Sequence, residues 1–213
     1  MGSSKTAEEV RAEYVEAMGL ELGGCFYSLY HELVLVHAKW LEYRELYAHS
    51  SERLDLLNRT SGFFFKIVQD GLWDDVLLHI ARLTDPVQTA GNENLTVQIL
   101  PSLVADEEIQ EEASTLIEHC IEKSAFAREH RNKRLAHRDL LLASDETAVP
   151  LSGVSRAHIE DMLASLRELM NKLDHHYRDT TVMYERFVAQ TGARSLIGSL
   201  MSAEEYKVEN VAN

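Results

Sequence analysis

The sequence predicts an all-α fold, a bundle of four long helices with additional short helices. Apolar residues recur at steps of three and four along most of the chain, the spacing of one helix face. Only 3 prolines and 10 glycines interrupt 213 residues, so breaks are few. No segment alternates apolar and polar residues clearly enough for a half-buried strand, and no sheet is expected.

The first long helix covers about 24–48, where Phe26, Leu29, Leu33, Val36, Trp40, Tyr43 and Tyr47 form one stripe. Ser50 suits the N-cap of the second. Its stripe runs through Leu54, Leu57, Phe64, Val68, Leu72, Val76, Ile80 and Leu83. Asp85-Pro86 ends it near residue 84, because proline lacks an N–H and clashes with the preceding turn. Gly62 and Gly71 weaken this helix and permit a bend. Phe63-Phe64-Phe65, Trp40 and Tyr43 read as core rather than as a ligand box.

Residues 86–105 form a connection with a short element around Leu95 to Leu100, interrupted by Pro101. A third long helix starts near Asp106 and runs to about 142, before the polar break of Ala143 to Gly153. Ser155 caps a fourth, to about 189, with Ile159, Met162, Leu166, Leu169 and Leu173 on its buried face. An N-terminal helix over about 6–18 packs beside the bundle, and Arg194 to Tyr206 adds a short docking helix. The expected organisation is an N-terminal extension at 1–23, the bundle at 24–190, and a C-terminal tail at 191–213.

Composition narrows the function classes. With 45% hydrophobic and 26% charged residues, the chain has a soluble globular mixture and enough length for a substantial core. It has no apolar run of about 18 residues that would span a membrane. Met1-Gly-Ser-Ser-Lys5 lacks the apolar centre of a signal peptide, and Gly2-Ser3-Ser4 matches a cloning scar. The simplest location is the cytoplasm. Cys25 and Cys120 are too few for a disulfide framework and read as buried thiols. The net charge of −14 excludes a surface that binds nucleic acid everywhere, but not a local basic site. Residues 123–138 hold Lys123, Arg128, Arg131, Lys133, Arg134 and Arg138, where an even spread of the 21 basic residues would put about 1.6.

That cluster breaks a local rule. The third helix's stripe begins with Ile109, Ala113, Leu116, Cys120, Ser124 and Ala127, then continues at the same spacing into Arg131, Arg134 and Arg138. Unpaired charge is costly to bury, so this helix end must leave the core for a cleft, an acidic neighbour or a partner surface. Cations near a helix C-terminus that complement its dipole in open solvent give the same pattern.

The run Arg131-Asn132-Lys133-Arg134-Leu135-Ala136-His137 resembles the signature of the HEPN superfamily: arginine, a polar residue, and a histidine after four to six intervening positions. Arg82-Leu-Thr-Asp-Pro86, Asn94-Leu95-Thr96 and His130-Arg-Asn-Lys133 before Ala136-His137 resemble its abortive-infection U branch. The resemblance runs from about 30 to 190. It implies a HEPN-like bundle and a metal-independent endoribonuclease, usually homodimeric, in a toxin or phage-defence setting with an antitoxin or defence-system partner. Many relatives are instead non-catalytic modules that bind RNA, nucleotide or protein. Asp139 stands where some HEPN toxins carry a tyrosine modified by a partner nucleotidyltransferase, which argues against that partner.

Metal-free cleavage of RNA needs a base for the 2′-hydroxyl, an acid for the leaving oxygen, and positive charge on the phosphate. His137 suits base or acid, since imidazole titrates near working pH. Arg131 offers a fork of donors to the phosphate. Asn132 suits an orienting group for the arginine, the histidine or the backbone, or else a simple cap. Lys133 and Arg138 fit backbone-phosphate contacts or a solvated basic face equally, and Arg134 can join either group. Arg82 and Asp85 read as structural, a salt bridge and a helix stop. On a straight helix, Arg131 and His137 are separated by about 9 Å of rise and about 120° of rotation, which favours a site shared by two chains. No cofactor or metal is expected: no histidine follows a Glu at Glu-x-x-His spacing, His31-Glu32 lacks a second zinc-motif histidine, and His175-His176 point to different faces.

Overall fold

Thr6 opens the first helix by accepting from the Glu9 N–H, while the Glu9 carboxylate accepts from the Thr6 N–H at 2.7 Å, a reciprocal cap. The computed structural model describes residues 5–132, 153–186 and 191–211. Over these the fold is all-α: α1 Ala7–Met18, α2 Leu20–Tyr47, α3 Ser51–Leu83, α4 Leu100–Leu103, α5 Glu107–Lys123, α6 Ala125–His130, α7 Arg156–Arg178 and α8 Ala193–Val211. No described helix is long and apolar enough to cross a membrane. The chain divides into two compact units, one of Met1–Leu35 with Leu77–Tyr184, the other of Val36–Val76 with Glu185–Asn213.

In the first unit, α5 packs along α7. Ile109, Ala113, Ile117 and Cys120 face inward from α5, and the predicted stripe Ile159, Met162, Leu166, Leu169 and Leu173 is buried throughout α7. The core is completed by Phe26, Leu29 and Leu33 of α2 and Leu77, Ile80 and Leu83 of α3. Gly23 lets α1 lie directly on α2. A Cβ there would overlap the Tyr14 carbonyl and come within 2.7 Å of the Val15 Cα.

In the second unit, Trp40 stacks on Tyr43 at 5.1 Å between centroids, and Trp73 tilts against both. The Tyr47 hydroxyl donates to the Phe65 carbonyl at 2.9 Å. Arg59 grips both carboxylate oxygens of Glu204 at 3.0 Å, joining α3 to α8. The helix expected over Arg194 to Tyr206 extends from Ala193 to Val211.

Several elements differ from the sequence reading. The second long helix carries a non-helical residue, Ser61 (φ −164°, ψ 69°), beside Gly62. This resets the register, so Phe65 is buried at 6% exposure while Phe64 and Phe63 stand 57% and 83% exposed. The phenylalanine run is therefore only partly core. The third helix is not continuous: a turn at Ser124 separates α5 from α6, and Ile117 takes the buried place expected of Leu116. The part expected beyond 132 lies outside the described residues. The fourth helix stops at Arg178 rather than near 189, because Asp179 turns left-handed (φ 49°) and donates its N–H to the His175 carbonyl. Asn171 then clasps the N–H and carbonyl of Val182 at 2.8 and 3.1 Å, folding the chain back on α7.

Pro101 does not interrupt its element. It sits in the first turn of α4, where its missing N–H leaves no intrahelical bond unmade. A minimal hairpin also appears where no sheet was expected. Gln88 and Thr89 pair antiparallel with Glu93 and Asn92 around Ala90 and Gly91, both at positive φ, as the tightest hairpin turns require.

Candidate functional site at the end of the third helix

The last turn of α3 leaves carbonyls without helical partners, and the following segment supplies them. The fully buried Thr96 donates its hydroxyl to the Leu83 carbonyl at 3.0 Å, and Gln98 Nε2 donates to the Thr84 carbonyl at 2.8 Å. Asn94 Nδ2 ties the Pro86 carbonyl at 2.7 Å to the hairpin through Thr89 Oγ1 at 2.8 Å. The segments Arg82–Pro86 and Asn94–Thr96, whose Leu83, Thr84 and Thr96 are buried, thus form one hydrogen-bonded platform.

Onto this platform α6 brings its basic end. Arg128 donates from Nη1 to Ser124 Oγ at 2.5 Å and to Thr84 Oγ1 at 3.3 Å, and from Nη2 to the Ile121 carbonyl at 2.6 Å. Burial lowers its guanidinium below arginine's ordinary range; Asp85 opposes that shift and Arg131 adds to it. His130, the last residue of α6, is buried.

The chain then widens into a π-type turn at Arg131 and Asn132. Arg131 Nη1 lies 2.6 and 2.5 Å from the two carboxylate oxygens of Asp85, and its Nε donates to Asn132 Oδ1 at 3.1 Å. The side chains of Arg131 and Asp85 are 24% and 16% exposed, so the pair borders solvent rather than lying in the core.

The HEPN family described as AbiU2 matches residues 19–195. The chain belongs to the AbiU2 family of HEPN proteins. No curated protein and no solved structure gives a significant match. In this AbiU2 chain, two of the predicted site residues, Arg131 and Asn132, come together at the platform. His137, Lys133, Arg134 and Arg138 lie outside the described residues.

Sequence reasoning assigned no role to Arg128 or Thr84, and gave Asp85 no partner. Arg82 makes a long salt bridge to Glu32 at 3.8 Å, and the same Glu32 oxygen lies 2.8 Å from His79 Nε2. The available signal was the co-occurrence of two motifs, Arg82–Pro86 and the run that starts at His130, from which the fold brings Asp85 and Arg131 together. A guanidinium fixed by a carboxylate on one nitrogen and an amide oxygen on another is a directed cation at the surface. It is suited to meeting an anionic group.

Proposed function

We propose that this protein is a metal-independent endoribonuclease of the HEPN type, a cytoplasmic homodimer serving as a toxin or phage-defence effector. The supporting observation is the fixed, part-exposed Arg131, set by Asp85 and Asn132 in a chain of the AbiU2 family. Arg131 contacts the scissile phosphate and stabilises charge that builds on its oxygens. His137 moves the proton, as base toward the 2′-hydroxyl or acid toward the leaving oxygen. Asn132 orients the arginine, and Lys133, Arg134 and Arg138 contact the RNA backbone. An antitoxin or other defence-system partner would keep such an activity in check.

The deciding experiment incubates the purified chain with labelled RNA in EDTA. Cleavage should persist and leave a 2′,3′-cyclic phosphate or its hydrolysis product. Arg131→Ala and His137→Ala should each slow cleavage at least about tenfold without unfolding the protein. Wild-type rates in both variants remove these residues from the mechanism. Light scattering that gives a 24.2 kDa monomer counts against the homodimer.

The Arg131–Asp85 pair also fits a second reading, a non-catalytic dimeric module binding RNA, nucleotide or a protein partner. There the arginine, already neutralised by a carboxylate, only shapes a binding surface. RNA that is bound but left intact selects this reading.

A further inference from the structure

We infer that Asp85 is a positioning residue for Arg131: its carboxylate fixes where the guanidinium meets an RNA phosphate. The inference rests on the ribonuclease reading and deepens it. A free arginine side chain is spread over many rotamers. A cation that must act in the transition state works best when that freedom is removed beforehand.

Asp85 can remove it because the backbone around Asp85 is held by hydrogen bonds. Pro86 follows it, the Asp85 N–H donates to the Arg82 carbonyl at 3.3 Å, and Thr84 beside it is fully buried. The carbonyls of Leu83 and Thr84 are held by Thr96 and Gln98. Asp85 takes Nη1 of Arg131 and Asn132 takes Nε, so the two contacts fix both the place and the plane of the guanidinium.

Charge points the same way. Arg128 and Arg131 both interact with this one carboxylate and repel each other. Arg128 is also fastened to Ser124, Thr84 and the Ile121 carbonyl, whereas Arg131 has its described anchors only in Asp85 and its neighbour Asn132. Removing the carboxylate's charge should therefore release Arg131 and leave Arg128 in place.

The test follows the Arg131 Nε–Hε resonance of the ¹⁵N-labelled full chain alongside RNA cleavage kinetics. In Asp85→Asn the resonance should shift and broaden. kcat should fall at least about tenfold while KM for the RNA stays within about twofold, because the bulk phosphate contacts are untouched. Asp85→Glu, which keeps the charge on a longer arm, should lie between wild type and Asp85→Asn in both readouts. An unmoved Arg131 signal in Asp85→Asn overturns the inference. So does a signal that moves while kcat holds, since the pair is then only structural. If the wild-type chain cleaves no RNA, the ribonuclease reading fails by itself, and the Arg131 resonance alone decides whether Asp85 positions it. Should Asp85→Asn not fold, Asp85→Glu carries the test. Its Arg131 signal and kcat must both depart from wild type at unchanged KM, and either one staying put overturns the inference.

Discussion

Asp174 is fully buried and accepts a hydrogen bond from Arg178 at 3.0 Å, one turn further along α7, while the Arg178 guanidinium lies 3.9 Å from the Tyr14 ring centroid. Burial lifts the Asp174 carboxyl above its ordinary range, against the charge and hydrogen bond of Arg178. The folded state therefore holds the proton more tightly than the unfolded chain. Its contribution to stability is full below the unfolded value, about 3.9, and is lost as pH rises through the folded one. Asp174→Asn abolishes this titration. The Tm of the variant relative to wild type should rise as pH increases above about 4, as thermal melts would show. A gap that stays constant over that range would mean Asp174 does not titrate differently in the fold.

Gly23→Ala should cost about 1–3 kcal/mol in urea unfolding, since the methyl group meets the α1 backbone rather than a movable side chain. Hydrogen exchange should speed up first in α1. Wild-type stability with unchanged exchange would show that α1 can shift at no cost.

Phe63 and Phe65 should respond in opposite ways although they are two residues apart. Phe65→Ala empties a core position and should destabilise by about 3–5 kcal/mol. Phe63→Ser replaces an exposed ring and should change stability by less than about 0.5 kcal/mol. Equal losses would contradict the break at Ser61.

Much of this fold is legible in the sequence. All seven stripe residues expected in α2, from Phe26 to Tyr47, are buried, because one uninterrupted helix carries them. The helix breaks at Ser61 and Ser124 are hidden for a common reason. Serine is compatible with a helix interior, so neither residue marks its own break, although Gly62 beside Ser61 permits a bend there. Asp179 is similar: left-handed ends usually advertise themselves by glycine, and here the clasp of Asn171 on Val182 helps to define the end. At the site, Arg131 and Asn132 announce themselves by motif spacing. Asp85 does not, since a pattern along the chain carries no distance between residues 46 positions apart.

Lys133→Ala and Arg138→Ala should each weaken RNA binding and lower the slope of log affinity against log salt by about 0.7–0.9, the loss of one phosphate contact. Binding isotherms at several salt concentrations measure this. An unchanged slope returns both residues to an ordinary solvated surface.

The contact between Asp85 and Arg131 spans 46 positions, and that has a consequence during synthesis. A ribosome adding about 5–20 residues per second makes the carboxylate roughly 2–9 seconds before its arginine. Until α5 and α6 have emerged and closed that loop, the nascent chain has no set guanidinium. On the ribonuclease reading, the nascent chain would lack its positioned arginine until more than half of its length exists.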